Sequence, residues 1–250
     1  MSPSLLNQAV IAHGMRLVDE AAAGGLPLRL AGSAAFAVRL AAAGRVEVAE
    51  RWPIQDLDFV CPSEAATGLE SFFSRFGYRN DRGLMIATEG RRWTLAAERQ
   101  PAVLDVFFDE MRFCQVLDLR GRIASDPKTL TLADLLLSKL QYVEPRPRDL
   151  EAIVALLAAY ALGEGDGDLI DYRRVCGVLG VSWRFYYTAS LNFQRLHALL
   201  GGEPSGEAIS RLEELETRAR LWPKTLPWRF RALAGTAISW HDEVETTEVF

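Results

Sequence analysis

Cysteine, histidine and lysine are all scarce in this sequence, with three residues of each among 250. The cysteines are odd in number and far apart, which argues against a disulfide scaffold, fits a reducing compartment and gives no zinc-ligand spacing. The histidines are equally scattered, so they predict neither a histidine-based metal cluster nor a Ser-His-Asp arrangement. We therefore expect no structural zinc site.

Long apolar runs and surplus positive charge are also missing. The longest uncharged apolar run, Ala152–Gly163, is shorter than the ~20 residues that a membrane span needs. Charged residues such as Arg16 and Asp19 interrupt the region where a signal peptide needs an apolar core. The net charge of −5 argues against a protein that coats long nucleic acid, although it is compatible with a local basic cleft. We expect a cytoplasmic protein with no membrane partner.

The composition, 49% hydrophobic and 24% charged, is that of a folded globular chain of one large or two modest domains. Strands and helices alternate in the first half, and helical periodicity dominates after Thr131. Strands are predicted at Leu26–Ala31, Asp56–Val60, Leu84–Thr88, Trp93–Ala97 and Val103–Phe108. Helices are predicted at Ala34–Ala43, Ser63–Phe76, Leu132–Val143, Leu150–Leu162, Leu169–Leu179, Trp183–Leu200 and Glu207–Leu221. The predicted fold is an α/β (α+β) domain, residues 1–127, with a small mixed sheet, followed by an all-helical domain, residues 128–250.

Three carboxylates lie on two of the predicted strands. Asp56 and Asp58 are at positions i and i+2, so they project from one face with Cα atoms ~6.5 to 7 Å apart. Asp105 lies in a second apolar strand and joins them if the two strands are neighbours. Three oxygen donors in a cleft suit Mg²⁺, which prefers carboxylates, water and substrate phosphates. The alternative is that these acids are edge residues or salt-bridge partners.

The pair Gly32-Ser33 stands between a predicted strand and a predicted helix. Such a small-residue turn leaves backbone N–H groups at the helix N-terminus free to bind phosphate. Ser33 can also cap the helix, and plain capping is the alternative explanation.

The order of these features resembles the nucleotidyltransferases of the DNA polymerase beta superfamily, whose signature is a Gly-Ser turn, an Asp-x-Asp strand and a third strand carboxylate. Two further stretches, Leu132–Leu140 with Lys139 and Arg146–Leu150 with Arg148, resemble the AbiEii-like, abortive-infection toxin branch. The resemblance spans Leu26–Leu157.

The resemblance implies an Mg²⁺-dependent enzyme, with a two-metal site, that transfers a nucleoside monophosphate from a triphosphate such as ATP or GTP to an acceptor hydroxyl and releases pyrophosphate. It makes Asp56, Asp58 and Asp105 the catalytic and metal-binding residues. It assigns nucleotide binding to four residues: Gly32, Ser33, Lys139 and Arg148. The helical domain would close the active-site cleft, and the acceptor would be an RNA end or a protein, with an antitoxin as partner.

The periodicity of the predicted helix aims Lys139 inward, on a stripe of leucines. A lysine there reaches out to water, meets an anion such as a triphosphate, or pairs with an acid inside the protein. Arg148 pairs with Asp149 or with a nucleotide phosphate. The aromatic residues of Trp183–Phe193 stack on nucleobases or, more ordinarily for a helical domain, form core.

Two other functions are compatible with the same residues. The first is a nucleotidyltransferase that modifies a small molecule, such as an aminoglycoside-like antibiotic, for which an acidic cleft wall would favour a cationic acceptor. The second is a catalytically silent nucleotide-binding module that keeps the fold. Three intact carboxylates argue against the silent module, because a silent fold has no reason to retain three uncompensated acids.

Overall fold

The computed structural model describes residues 3–49, 51–201 and 206–243. The outermost residues of the two predicted domains, 1–2 and 244–250, lie outside this range. The chain divides into two compact units, which are described separately. The first comprises Met1–Met111 and Asp118–Thr131, and the second comprises Arg112–Leu117 and Leu132–Phe250.

The first unit is built around a five-stranded sheet. In chain order its elements are α1 (Pro3–Ala23), β1 (Arg29–Leu30), α2 (Gly32–Ala42), α3 (Val46–Ala49), β2 (Asp56–Cys61), α4 (Ala66–Arg75), β3 (Arg79–Asn80), α5 (Arg82–Ala87), β4 (Arg92–Ala96) and β5 (Val103–Phe108). The strand order is β1-β2-β5-β4-β3, in which only β2 and β5 are parallel. The predicted small mixed sheet is confirmed.

One face of this sheet is apolar because β2 and β5 alternate in phase. Leu57 and Phe59 on β2 are completely buried, as are Leu104 and Val106 on β5. These four side chains stand on the face opposite the carboxylates, since neighbouring positions along a strand point to opposite sides. The apolar face therefore packs in the core, and the polar face of both strands carries the carboxylates.

The predicted strand at Leu84–Thr88 is wrong, because this segment lies in helix α5 and the turn that ends it. The side chain of Asp81 accepts hydrogen bonds from the backbone N–H groups of Gly83 and Leu84, at 2.8 and 3.1 Å. An N-cap of this kind supplies acceptors that the first turn of a helix lacks. The cap therefore outweighs the β-forming tendency of the apolar residues that follow it.

The first unit extends to Thr131, four residues beyond the boundary expected after residue 127. The segment beyond this boundary pairs with β1 through backbone hydrogen bonds from Leu30 to Lys128 and from Leu130 to Leu30, both 2.9 Å long. These bonds hold the segment to the sheet. The hairpin strands β6 (Glu110–Arg112) and β7 (Val116–Asp118) come earlier in the chain, and residues 112–117 group with the second unit.

The second unit is helical, as predicted, apart from residues 112–117 and one short strand pair. Its elements are α6 (Leu132–Leu140), α7 (Pro147–Ala159), β8 (Leu162–Gly163), β9 (Ile170–Asp171), α8 (Tyr172–Val181), α9 (Trp183–Leu200), α10 (Gly206–Leu221) and α11 (Leu226–Ala234). Helix α9 has the predicted bounds. Helix α11 was not predicted, although Thr225 before it and Pro227 within its first turn are recognisable start signals. Among the described residues, no helix combines the length and apolar character that crossing a membrane requires.

Candidate functional site

The carboxylates of the first unit share one face of the central sheet. Strands β2 and β5 are parallel neighbours, and Asp58 is directly opposite Asp105 in their register. Adjacent strands lie roughly 4.8 Å apart, so these two side chains start from neighbouring positions. Asp56 precedes Asp58 by two residues and shares its face. The sheet thus brings together the three acids that the sequence identified.

The Gly32 turn lies against one of these acids. Gly32 is the first residue of α2 and has a φ of 56°, a left-handed conformation that favours glycine. A Cβ atom at this position would stand 1.8 Å from Oδ2 of Asp58. The backbone N–H of Ala31 also donates to the carbonyl of Asp58, at 2.8 Å. The predicted phosphate turn and the Asp-x-Asp strand therefore meet at Asp58.

Ser33 is the second residue of α2 and does not cap it, so the capping expectation is wrong. The N-cap position belongs to Ala31, whose side chain can accept no hydrogen bond. The Ser33 side chain is half-buried, and its hydroxyl forms no hydrogen bond with the part of the chain that the structure describes. No side chain at the N-cap therefore accepts from the backbone N–H groups in the first turn of α2. The hydroxyl of Ser33 lies in the same turn.

The environments of the acids differ sharply. Asp56 is exposed, and Asp58 is half-buried against Gly32. Asp105 is only 6% exposed, and Arg92 and Thr94 of β4 bind it. Nε and Nη2 of Arg92 donate to Oδ1 and Oδ2 at 3.1 and 2.8 Å, and the Thr94 hydroxyl donates to Oδ1 at 2.6 Å.

The salt-bridge alternative is therefore realised at Asp105 in this arrangement. Within residues 3–49, 51–201 and 206–243, no group of three or more His, Cys, Asp or Glu side chains is placed to hold a metal ion. Arg92 and Thr94 were not identified from the sequence. The alternation of β4, with Trp93 between them on the apolar face, would have placed both on the polar face, but it does not identify the strand beside them.

Lys139 and Arg148 belong to the second unit. Nζ of Lys139 donates to Oδ1 of Asp149 at 2.5 Å, and the two side chains are 11% and 9% exposed. The other carboxylate oxygen of Asp149 accepts the backbone N–H of Arg146 at 3.1 Å. The ion pair expected as one alternative for Lys139 is formed, and its partner comes from the first turn of α7.

Arg148 has an unsatisfied donor. Its Nε is buried and has no hydrogen-bond partner within the described part of the chain. Because Asp149 is engaged by Lys139 and by the Arg146 backbone, the alternative pairing of Arg148 with Asp149 is not observed. A buried donor left without an acceptor is costly, so the Nε of Arg148 has the capacity to donate one further hydrogen bond.

The aromatic group on α9 is largely core. Trp183, Phe185 and Phe193 are buried. Tyr187 stacks on Trp183 with ring centroids 5.2 Å apart. These aromatic side chains therefore pack between helices of the second unit, which is the more ordinary of the two expectations.

The cysteine nearest to the acids in the chain is not set up as a nucleophile. Cys61 ends β2 and is completely buried. Burial raises the pKa of its thiol to about 12, despite the opposing effect of the positive charge of Arg29. The thiolate is therefore scarce at neutral pH.

No protein-family model matches the sequence, and no curated protein matches it. A search of solved structures finds a similarity to the antibiotic-resistance factor ANT(2'')-Ia, determined in solution. The identity is 16% and the TM-score is 0.39, over 78% of this chain and 95% of that chain. A likeness at this level does not bear on the substrate of the chain.

Proposed function

We propose that the protein is a metal-dependent nucleotidyltransferase that transfers a nucleoside monophosphate to an acceptor hydroxyl and releases pyrophosphate. One observation carries the proposal: the Gly32 backbone lies in contact with the carboxylate of Asp58. A helix N-terminus and a pair of carboxylates together suit a metal-bound phosphate, because the first binds the anion and the second bind the cation. The resemblance in motif order points the same way.

The donor set of Asp56 and Asp58 fits Mg²⁺, which is often held by one or two carboxylates while substrate phosphates and water complete its shell. Asp56 is exposed, and its carboxylate forms no hydrogen bond or ion pair with the described residues. Bound there, Mg²⁺ would act as a Lewis acid that offsets charge on the transferring phosphoryl group, alone or as one of two metals. Asp105 is proposed as a further ligand, in exchange for its bonds to Arg92.

The remaining tasks fall to side chains and backbone groups of the same unit. The N–H groups of the first turn of α2 and the Ser33 hydroxyl would bind the triphosphate, and Gly32 leaves room for the phosphate to approach the backbone. Asp105, on the same face, would accept the proton of the acceptor hydroxyl as it attacks the α-phosphorus. The N–H groups of the same turn would stabilise the negative charge of the pyrophosphate as it leaves.

Lys139 and Arg148 are proposed as further nucleotide ligands, and they differ in how well the structure supports them. The unpartnered Nε of Arg148 fits a phosphate oxygen. The charge of Lys139 is already compensated by Asp149. We propose an RNA end or a protein hydroxyl as acceptor, toxin-like and paired with an antitoxin. Because Asp149 neutralises Lys139, the positive charge that would attract this acceptor must come from arginine side chains.

The function is tested by incubating the protein with each α-labelled nucleoside triphosphate and Mg²⁺, together with total RNA, cell lysate or an aminoglycoside panel. We expect label on RNA or protein, lost with EDTA and in Asp58→Asn. The matched control is Asp168→Asn, which removes an exposed carboxylate from a loop of the second unit and should transfer label normally. Label only on the small molecules would establish the alternative acceptor, and no label on any acceptor would favour the silent module.

A further inference from the structure

One stretch near the end of the described chain has a charge opposite to that of the protein. Residues 217–241 contain five Lys and Arg and no Asp or Glu, although the whole chain carries a net charge of −5. The stretch comprises the end of α10, all of α11 and the segment after it. Its basic character is independent of the candidate nucleotidyltransferase site.

Helix α11 exposes an apolar stripe. Leu226, Phe230 and Leu233 are 67%, 71% and 85% exposed and occupy positions i, i+4 and i+7, which share one face of a helix. The opposite side of the helix is anchored, because Nε1 of Trp228 donates to the carbonyl of Leu179 at 3.0 Å. The stripe therefore projects outward from a helix whose orientation within the second unit is held.

Further exposed apolar residues continue the stripe. Val181 is 63% exposed, and its carbonyl accepts a 3.5 Å hydrogen bond from Thr225, which precedes α11. Ile238 is 59% exposed, and its carbonyl accepts a 2.9 Å hydrogen bond from Arg231. One exposed apolar residue thus lies near each end of α11, so that these residues and the stripe form a cluster and not isolated exposed side chains.

Of the five cations in this stretch, Arg218 pairs with Glu214 at 2.7 Å, and the other four have no acidic partner in the described part of the chain. Arg220 and Arg229 are exposed and form no ion pair. Arg231 and Lys224 donate only to backbone carbonyls, which leaves their charge uncompensated. Arg229 lies about 60° around the helix from the centre of the stripe, so a cation flanks the projecting apolar side chains.

We propose that this basic apolar patch, residues 217–241 with Val181, binds an anionic phospholipid surface. Such a surface accepts projecting apolar side chains into its acyl boundary and attracts cations to its headgroups, without the shaped pocket that a protein partner provides. Nucleic acid would leave the apolar stripe in water. Two copies joined through this patch would oppose two surfaces of like charge. The expectation of no membrane partner rested on span length, which does not bear on surface adsorption.

The test is co-sedimentation of the full chain with vesicles of phosphatidylcholine containing 40% phosphatidylglycerol, compared with phosphatidylcholine alone. We expect binding to the anionic vesicles only, weakened by salt. Removing two cations in the Arg220→Gln/Arg229→Gln variant should lower the partition coefficient about 25-fold, at roughly fivefold per cation. The Phe230→Ser/Leu233→Ser variant should lose binding as well, because insertion is lost.

Matched control variants test whether vesicle binding depends on this patch or on exposed charge and hydrophobicity in general. Arg45→Gln/Arg99→Gln removes two exposed arginines of the first unit that have no acidic partner among the described residues, and Ile86→Ser removes an equally exposed apolar side chain. Both controls should bind like the unmodified protein. Absence of binding to anionic vesicles, equal binding to both vesicle types, or unchanged binding in either patch variant would overturn the proposal. Analytical ultracentrifugation showing a dimer that Phe230→Ser/Leu233→Ser dissociates, with no vesicle binding, would assign the patch to a second copy.

Discussion

Replacing Gly32 with alanine tests the contact on which the proposed function depends. Gly32 has a positive φ, and its missing side chain leaves room for the carboxylate of Asp58. An alanine must therefore adopt a left-handed conformation and also displace Asp58, since its Cβ would lie only 1.8 Å from Oδ2. The substitution perturbs the backbone and the acid at once, so a control is needed for the backbone part alone.

Gly44→Ala provides that control. Gly44 has a φ of 74°, and a Cβ built there has nothing within 4 Å. The left-handed conformation costs an alanine about 1–2 kcal/mol at either position. At Gly32 the forced rotation of Asp58 adds about 0.5–1.5 kcal/mol, and the backbone must also shift, because rotation does not relieve the 2.9 Å approach to Asp58 Cβ. We therefore expect Gly32→Ala to lower the free energy of unfolding by about 1.5–3.5 kcal/mol or more, and Gly44→Ala by about 1–2 kcal/mol.

The two variants should separate more clearly in metal binding than in stability. Urea titration gives the free energies of unfolding, and electron paramagnetic resonance of Mn²⁺ gives the affinity of the acid site. Displacing a ligand or its support typically costs 10–100-fold in metal affinity. Gly32→Ala should show such a loss, and Gly44→Ala should bind Mn²⁺ like the unmodified protein. Equal Mn²⁺ affinities in the two folded variants would refute the reasoning that Gly32 positions Asp58 for a metal.

Three further predictions concern side chains whose partners the structure identifies. Lys139→Met should lower the free energy of unfolding by about 3–5 kcal/mol, because it leaves the buried carboxylate of Asp149 without its cation. The double variant Lys139→Met/Asp149→Leu should recover most of this loss in urea titrations. Arg92→Met should cost about 2 kcal/mol and raise Mn²⁺ affinity by releasing Asp105; unchanged affinity would remove Asp105 from the ligand set. Burial lowers the pKa of His13, so the unfolded chain binds a proton at this residue at a higher pH than the folded protein does. The free energy of unfolding should therefore fall as the pH drops through 6.5 and level off below the pKa of the folded state. His13→Gln should abolish this pH dependence in thermal unfolding.

Local patterns in the sequence were sufficient for several elements and for the relative placement of one pair of candidate site residues. Helix α9 was predicted with its observed bounds from its helical period, and in the structure Ser182 caps it, accepting from Phe185 N–H at 3.2 Å. Strand β2 alternates polar and apolar residues, and this period of two alone places Asp56 and Asp58 on one face. Where a local signal was overlooked, at the Asp81 cap of α5, the prediction was wrong.

The partners of the candidate site residues were decided by the tertiary structure. Asp105 meets Asp58 because β5 lies beside β2 in parallel, and it meets Arg92 because β4 lies on the other side of β5. Strand order depends on how the whole sheet packs, which no periodicity within a single strand encodes.

The same reason explains Lys139, whose inward direction follows from helical spacing while its partner does not. Asp149 reaches it from the first turn of another helix, so the choice between an internal acid and a bound phosphate is made by the packing of α6 against α7. The sequence determined which residue types face inward and with what period. The tertiary structure decided which charges compensate one another, because only the assembled fold sets the distances between residues that are far apart in the chain.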